Sequence, residues 1–260
     1  MLADLPSANI SETSEVEPLP VPPDPTLSVV VPVKDEADNI LPLIAEIEAA
    51  LGGEEFEIVY VDDGSRDASP MRLSEARAKS PRLRVLTHQS SVGQSGALVT
   101  GILAAKAPWI ATLDGDGQND PADIPKLLAL VRAPDGADLV MVCGTRAKRR
   151  DTWARRYASR IANGVRARLL HDDTPDTGCG LKLFRREAFL AMPRFNHMHR
   201  FLPALARRDG GRIAHVGVNH RPRTKGTSKY GNWQRLWVGI VDLLGVMWLR
   251  ARAMRPTLRS

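Results

Sequence analysis

The chain has 260 residues, of which 43% are hydrophobic and 25% are charged. This composition is ordinary for a globular protein, and it excludes an intrinsically disordered chain, a collagen-like repeat and a multi-span membrane protein. The formal net charge of +6 hides an asymmetry, because residues 1–140 carry a net charge of −13 and residues 141–260 carry +19. Each half therefore suits a different ligand, and the basic half suits an anionic one.

Residues 1–26 are rich in Pro, Ser, Glu and Asp and show no hydrophobic period. They predict a disordered tail, and their acidic character is unlike that of a signal peptide. The longest candidate for a membrane span, 236–249, is shorter than the roughly 20 apolar residues required and contains Asp242. The two cysteines, Cys143 and Cys179, are too few for a disulfide framework, so a reducing compartment and buried thiols are expected.

From residue 27 onward, short β-branched apolar runs alternate with segments of helical periodicity. Strands are predicted at 27–33, 56–61, 83–88, 109–114 and 137–144, with helices between them at 36–51, 68–79, 91–106 and 121–131. Such alternation implies a mostly parallel sheet with helices on both faces, whose ligands bind beyond the carboxyl ends of the strands. Further along, we predict helices at 155–170, 201–209 and 233–252, a short strand that runs into a helix at 181–192, a strand at 212–218 and a basic loop at 220–232.

The segment LDGDGQNDP (113–121) directly follows a predicted buried strand. Asp114 and Asp116 offer hard carboxylate oxygens there, which suit Mg²⁺ or Mn²⁺ held together with a substrate phosphate. Gly115 and Gly117 would let the backbone approach a ligand closely. A surface turn is the alternative interpretation, and the position of the segment at a strand end favours the metal site.

A second acidic segment, YVDDGSRD (60–67), follows another predicted strand. Asp62 and Asp63 could accept hydrogen bonds from ribose hydroxyls or from a base. Helix capping by Ser65 or Asp67 is the alternative, and it would account for only one of these residues.

Six sequence blocks occur in a fixed order between roughly residues 27 and 235. They are VVPVKDEADNI (30–40), VDDGSRD (61–67), VGQSGALVTGI (92–102), LDGDGQNDP (113–121), DTGCGLKLFRRE (176–187) and RPRTKGTSKYG (221–231). In this order they resemble glycosyltransferase family 2, and most of all its branch of dolichol- and polyprenyl-phosphate mannosyltransferase-like enzymes. The resemblance implies an α/β, Rossmann-like GT-A fold, a nucleotide-sugar donor carrying UDP or GDP, Mg²⁺ or Mn²⁺ as cofactor, and inversion at the anomeric carbon.

The resemblance also implies a domain organisation and a set of site residues. It divides the chain into a tail (1–26), a catalytic domain (27–232, with a donor and metal half at 27–144 and an acceptor half at 145–232) and a C-terminal segment (233–260). The nucleotide sugar would contact Pro32, Lys34, Glu36, Asp62, Asp63, Gln94, Gly96 and Asp114. The metal would be bound by Asp116 and Gln118 with Asp114 beside them, and the catalytic set would be Asp116, Asp176 and Arg146. Family members often have Asp-Ala-Asp-Leu-Gln where this chain has Asp-Gly-Asp-Gly-Gln, so the extra glycines leave the loop geometry open.

The chemistry of the basic half favours a polyprenyl phosphate as the acceptor. A phosphomonoester is already largely ionised at neutral pH, so it needs orientation by cations more than deprotonation. The candidate cations besides Arg146 are Arg200, Arg221, Arg223, Lys225 and Lys229. A family 2 transferase that acts on a sugar hydroxyl is the alternative, and it would need a general base. Asp176 is the candidate either for such a base or for a carboxylate that orients an arginine. A non-catalytic nucleotide-sugar-binding subunit is the alternative from another class.

The predicted last helix has an apolar face that carries Trp233, Trp237, Ile240, Leu244 and Trp248, with Arg235 and Asp242 opposite. Arginines follow it, so the pattern favours an amphipathic helix at an anionic membrane surface, with a helix docked on the catalytic sheet as the alternative. We therefore expect a cytoplasmic protein that is peripheral on the cytoplasmic face of the membrane, directly or through an integral-membrane partner. Nucleic acid is not expected as a partner, because the few aromatic residues are not interleaved with the basic clusters.

Overall fold

The computed structural model describes residues 24–146, 164, 166, 168–170, 174–222 and 232–254, with the side chains of 232–237 left out. Its sheet has the strand order β3-β2-β1-β4-β6-β5-β7. The strands are β1 (Leu27–Val33), β2 (Phe56–Asp62), β3 (Leu83–Thr87), β4 (Trp109–Thr112), β5 (Leu139–Arg146), β6 (Lys182–Arg185) and β7 (Arg212–Val218). All neighbouring strands pair in parallel except β6, which runs antiparallel to both β4 and β5.

Seven helices are described around this sheet. They are α1 (Ala37–Ala50), α2 (Ser69–Lys79), α3 (Gln94–Ala104), α4 (Ile124–Arg132), α5 (Arg186–Leu190), α6 (Leu202–Arg208) and α7 (Asn232–Ala251). The predicted α/β class and the mostly parallel sheet are confirmed. Residues 1–23 of the predicted tail and most of the predicted helix 155–170 lie outside the described residues, and the division into domains stays a prediction.

The sheet separates two hydrophobic cores, because successive side chains of a strand point to opposite faces. In β1, Val29 and Val31 belong to the core beneath α1, α2 and α4, whereas Val30 belongs to the core beneath α3, α5 and α6. Each helix contributes a stripe to its core, as α1 does with Ile40 and Ile47. Helices on both faces hold the sheet rigid and leave its edges to carry function.

The antiparallel strand β6 determines what meets at the carboxyl edge of the sheet. Its first residue, Lys182, pairs with Thr112 at the end of β4 and with Cys143 near the end of β5. Because β6 runs antiparallel to β4 and β5, it begins at the edge of the sheet where those two strands end. The segment that precedes it, 174–181, therefore lies beside the turn that follows β4.

Helix α7 packs against the core below α6 and also presents apolar side chains to solvent. Val246 is fully buried, and the Asp242 carboxylate lies 3.0 Å from Nδ1 of His197. Val241, Leu244 and Trp248 are 65%, 59% and 62% exposed. Asp242 lies on the side of the helix opposite Leu244 and Trp248, as the spacing indicated, and the helix docks on the protein through the Asp242 side. In the part of the chain that the structure describes, no helix combines the length and the apolarity needed to cross a bilayer.

Candidate active site

A cleft of about 480 Å³ opens at the carboxyl edge of the sheet, at the junction of β1, β4 and β6. It is lined by residues from both halves of the chain. The predicted site residues among them are Pro32, Lys34, Glu36, Asp63, Gln94, Asp114, Asp116 and Arg200. The cleft therefore brings the acidic and basic halves of the chain together at this edge of the sheet, and the roles of these residues stay predictions.

The acidic turn after β4 forms one wall of the cleft. The Asp116 carboxylate accepts a hydrogen bond from the Gln118 backbone N–H at 3.1 Å, which closes a tight Asx turn. Gly117 has φ +71°, a left-handed conformation that favours glycine. A Cβ at Gly115 would come within 2.9 Å of the Pro32 carbonyl oxygen. The two glycines therefore allow a turn that is tighter than most side chains would permit.

Asp114 is enclosed by groups from three segments. Its carboxylate accepts a hydrogen bond from Gln94 Nε2 at 2.8 Å, and its backbone N–H donates to the Asn119 side-chain oxygen at 3.1 Å. A Cβ at Gly180 would overlap the Asp114 carboxylate, so only glycine fits there. Burial, and then the charge of Asp116, raise the pKa of Asp114 to about 6. Two carboxylates are thus held closer together than their charges favour.

The residues of this wall fit a divalent cation. Asp114 and Asp116 line the cleft and supply hard oxygen atoms, whereas Gln118 follows them on the same turn without lining it. Besides burial, the repulsion between the two carboxylates raises the pKa of Asp114, and a cation would relieve that repulsion. Among the described residues there is no cluster of three or more His, Cys, Asp or Glu side chains arranged for a metal. Two carboxylates on one turn, completed by substrate phosphates and water, are typical of Mg²⁺ and Mn²⁺ sites.

Asp63 organises the opposite wall. Its two carboxylate oxygens accept hydrogen bonds from the Ser91 hydroxyl and from the Val92 and Gly93 backbone N–H groups, at 2.6–2.9 Å. Nδ1 of His88 lies 2.8 Å away. Burial favours the neutral form, but these bonds outweigh it and lower the pKa of Asp63. Asp63 therefore fixes the loop before α3, and its predicted contact with the nucleoside stays a prediction.

Asp62 is buried beside this wall. One of its carboxylate oxygens accepts from the Ser65 backbone N–H at 2.9 Å, while the other has no hydrogen-bond partner among the described residues. A buried, unpaired carboxylate oxygen is costly unless a ligand satisfies it. Asp67, the capping candidate, accepts from the Ser69 and Ala37 backbone N–H groups, so capping accounts for Asp67 and not for Asp62.

Arg146 and Asp176 form a bidentate ion pair behind the cleft. Arg146 Nε and Nη2 each donate to an Asp176 oxygen at 2.6 Å, and both side chains are largely buried. Hydrogen bonding to Asp176 raises the pKa of Arg146 above its already high value. Asp176 had two predicted roles, as a base or as an Arg-orienting group, and this geometry favours the second.

The predicted phosphate-binding cations differ in where they lie. Arg200 lines the cleft, as expected. Arg221 does not line it, because its guanidinium pairs with Glu46 and Asp120. The geometry therefore gives no support to Arg221 as a phosphate ligand. Arg223, Lys225 and Lys229 lie outside the described residues. Gly96 lies in the first turn of α3, and it does not line the cleft.

Two cleft residues, Lys182 and His199, were missed from the sequence. Lys182 is 4% exposed and donates to the Cys179 carbonyl oxygen. Nδ1 of His199 lies 2.7 Å from the Ser95 hydroxyl, and burial together with the charge of Arg200 lowers the pKa of His199 to about 3. The imidazole is therefore neutral at physiological pH. The sequence signal for Lys182 was a lysine inside the apolar run LKLF. No sequence signal pointed to His199.

The mixed sheet and the aspartate turn at its carboxyl edge define an α/β transferase of the GT-A type. The family model described as Glycosyl transferase family 2 matches residues 28–191, so the chain belongs to that family and is a glycosyltransferase. It is 35% identical over 254 residues to a dodecaprenyl-phosphate galacturonate synthase of Rhizobium johnstonii, covering 93% of this chain and 73% of that protein. It is 39% identical over 210 residues to an undecaprenyl-phosphate 4-deoxy-4-formamido-L-arabinose transferase of Edwardsiella ictaluri, covering 79% and 63%.

Solved structures support the same fold at low sequence identity. The glucosyl-3-phosphoglycerate synthase of Mycobacterium tuberculosis, in complex with Mn²⁺, UDP and phosphoglyceric acid, has a TM-score of 0.66 at 18% identity, covering 89% of this chain and 80% of that one. The mannosyltransferase PcManGT of Pyrobaculum calidifontis, in complex with GDP-Man and Mn²⁺, has a TM-score of 0.63 at 19% identity, covering 90% and 66%. The predicted GT-A fold and the resemblance to family 2 are therefore confirmed.

Replacing Gly180 with alanine should displace the Asp114 carboxylate, because the new Cβ would occupy the same space. A displacement of about 1 Å in an active site can cost about 100-fold in rate, so sugar transfer should fall by about that factor. The measurement is steady-state transfer together with thermal unfolding. Gly217→Ala is the matched control, since a Cβ at Gly217 meets nothing within 4 Å. Equal activity of the two variants would contradict the enclosed position of Asp114.

Proposed function

We propose that this chain transfers one sugar from a nucleotide sugar, carrying UDP or GDP, to a polyprenyl phosphate with inversion at the anomeric carbon. The observation that carries the proposal is that one cleft is lined by Asp114 and Asp116 of the acidic turn and by Arg200. Arg146 lies close enough for its charge to lower the pKa of Asp114. Both curated relatives described above are named for sugar transfer to a polyprenyl phosphate. Mg²⁺ or Mn²⁺ at Asp116 and Gln118, beside Asp114, is part of the proposal.

The donor side rests on the first two parallel strands. Asp62, with its unpaired buried oxygen, suits a hydrogen-bond donor of the nucleoside. Pro32, Lys34 and Glu36 follow β1 into the same cleft. Gln94 donates a hydrogen bond to the Asp114 carboxylate and fixes it where it would contact the sugar or the ribose. The proposed donor therefore extends from Asp62 at the end of β2 to Asp114 after β4.

The acceptor side rests on cations that are held in place by their partners. Asp176 orients Arg146 through two hydrogen bonds, and this geometry leaves the arginine protonated and rigid. Arg200 is the last residue of the turn Met198–Arg200, which is tied to α3 through Ser95 and His199. Such fixed cations stabilise phosphate charge without reorganisation at the moment of reaction.

The reaction is a single displacement. An ionised phosphate oxygen of the acceptor attacks the anomeric carbon from the face opposite the nucleotide, and a new carbon–oxygen bond forms. The bond to the diphosphate oxygen breaks, and the nucleoside diphosphate leaves with the electron pair. A bound divalent cation would neutralise the charge that develops on this leaving group. No proton has to be removed from the acceptor, because its phosphate is already ionised.

The proposed location is the cytoplasmic face of the membrane, where α7 would lie on the anionic lipid surface. Its exposed side chains Val241, Leu244 and Trp248 share one helical face, with Arg252 exposed nearby. Apolar and aromatic side chains beside arginines suit the boundary between headgroups and acyl chains. An integral-membrane partner on the same face is the other form of attachment that we propose.

Asp116→Asn should abolish transfer while the fold is retained, because it removes a proposed cation ligand. A loss of several kcal/mol of transition-state stabilisation corresponds to at least about a 1000-fold lower rate. The measurement is the formation of lipid-linked sugar from undecaprenyl phosphate, with Mn²⁺ or Mg²⁺ and a panel of UDP- and GDP-sugars. Asp135→Asn, an exposed aspartate far from the cleft in the fold, is the control. Retained activity of Asp116→Asn would refute the metal assignment, and an inactive wild-type protein would refute the acceptor.

Asp176→Asn separates the phosphate acceptor from the hydroxyl acceptor. If Asp176 only orients Arg146, transfer should fall by about 10-fold to 100-fold while the pH–rate profile keeps its shape. The loss should not add to that of Arg146→Lys in the double variant, because both act on one contact. If Asp176 is a general base for a hydroxyl acceptor, its removal would abolish the acidic limb of the profile.

The triple variant Val241→Ser, Leu244→Ser, Trp248→Ser should bind vesicles of anionic lipid at least about 10-fold more weakly, because each buried apolar side chain contributes about 1.5–3 kcal/mol. Vesicle flotation measures the binding of the triple variant and of the wild type. A variant that lacks residues 233–260 is measured in the same experiment. Met71→Ser, which replaces an exposed apolar residue on α2, is the control. Wild-type protein that does not float with anionic vesicles would contradict direct membrane attachment.

A further inference from the structure

The chain segment that follows β7 lies directly against the acidic turn. The Arg221 backbone N–H donates to the Gln118 carbonyl oxygen at 2.9 Å, and Gln118 Nε2 donates to the Arg221 carbonyl oxygen at 3.3 Å. Asn119 and His220 form an antiparallel bridge between these two bonds. The segment 219–221 and the turn 118–120 therefore form one short two-stranded unit.

The Arg221 side chain anchors this unit to the rest of the fold. Nη1 donates to a Glu46 oxygen at 2.6 Å, and Nη2 donates to Asp120 Oδ1 at 2.8 Å. Glu46 belongs to α1, whereas Asp120 ends the acidic turn, so one guanidinium joins three segments. We call this arrangement of Arg221, Glu46 and Asp120 the arginine clamp.

The clamp is connected to the proposed cation ligands by a continuous chain of hydrogen bonds. Gln118 is held at its amide nitrogen by the Arg221 carbonyl, and the amide oxygen is the atom that a divalent cation prefers. The Gln118 backbone N–H in turn donates to Asp116 Oδ1. Groups that orient metal ligands in this way affect metal affinity without touching the metal.

We propose that Arg221 is a positioning residue, and that the arginine clamp holds Gln118 and Asp116 in the geometry that binds the divalent cation. The proposal rests on the cation site of the proposed function and assigns Arg221 to that site instead of to the acceptor phosphate. A phosphate that recruited this guanidinium would leave the carboxylates of Glu46 and Asp120 without their partner, which is an electrostatic cost.

The test is Mn²⁺ binding by Glu46→Gln and Arg221→Lys, followed through the electron paramagnetic resonance signal of free Mn²⁺ without any substrate. Among the described residues, Glu46 does not line the cleft and its carboxylate accepts a hydrogen bond from Arg221, so its effect should reach the cation through Arg221. Loss of an orienting partner typically costs about 10-fold to 100-fold in metal affinity, and we expect a loss of at least about 10-fold for each variant. The double variant should bind no more weakly than Arg221→Lys, because both substitutions break one clamp.

Glu48→Gln is the matched control, since it lies on the same helix and contacts Ser80 rather than the acidic turn. It should bind Mn²⁺ as the wild type does, and thermal unfolding should verify that every variant is folded. Wild-type Mn²⁺ binding by Glu46→Gln would overturn the clamp and leave the proposed function standing. An increased KM for polyprenyl phosphate in Arg221→Lys, with unchanged Mn²⁺ binding, would also overturn it and restore the phosphate role. Wild-type protein that transfers sugar but binds no Mn²⁺ even with saturating UDP or GDP present would overturn the cation site and the clamp together.

Discussion

The antiparallel pairing of β4 with β6 is the constraint on which the cleft depends. β4 delivers Asp114 to the carboxyl edge, and β6 starts at that edge with Lys182 beside Thr112. The Thr112 hydroxyl donates to the Gly180 carbonyl oxygen at 2.7 Å, which fixes the 174–181 segment against the acidic turn. A parallel strand in this position would present its carboxyl end here instead, and it would carry the 174–181 segment to the far edge of the sheet.

Because of this pairing, the acidic and basic halves of the chain meet at one place. Lys182 and Arg146 lower the pKa of Asp114, yet burial and the Asp116 charge outweigh them, and the net pKa is raised to about 6. The basic wall therefore does not neutralise the acidic turn by itself. Its cations are held by other partners, Arg146 by Asp176 and Lys182 by the Cys179 carbonyl oxygen. The acidic wall therefore keeps its charge available for a cation, while Lys182 and Arg200 bring positive charge to the lining of the cleft for phosphates.

The local part of this arrangement could be predicted from the sequence, and the long-range part could not. The apolar runs of β1, β2 and β5 and the periodicity of α1 are visible in single segments, and the acidic residues at strand ends follow from the parallel sheet. The direction of β6 has no local signature, since its four residues fit either direction. The partners of Arg221 were also hidden, because Glu46 is 175 residues away along the chain. A basic residue near a predicted phosphate site was interpreted by its charge, whereas its role depends on which carboxylates the fold brings to it.

Helix α7 shows the same difference between what a local sequence pattern indicates and what long-range contacts decide. Helical spacing showed an apolar face with Asp242 opposite it, but it did not show which of the two sides faces the rest of the protein. The fold uses that opposite side for docking, where Asp242 lies 3.0 Å from Nδ1 of His197. His197 has φ +65° and precedes the turn Met198–Arg200, which carries His199 and Arg200 into the cleft. Because Asp242, Val246 and their neighbours Leu243 and Met247 face the protein, the face with Val241, Leu244 and Trp248 is left exposed. The same helix also braces, through Asp242 and His197, the turn that carries Arg200.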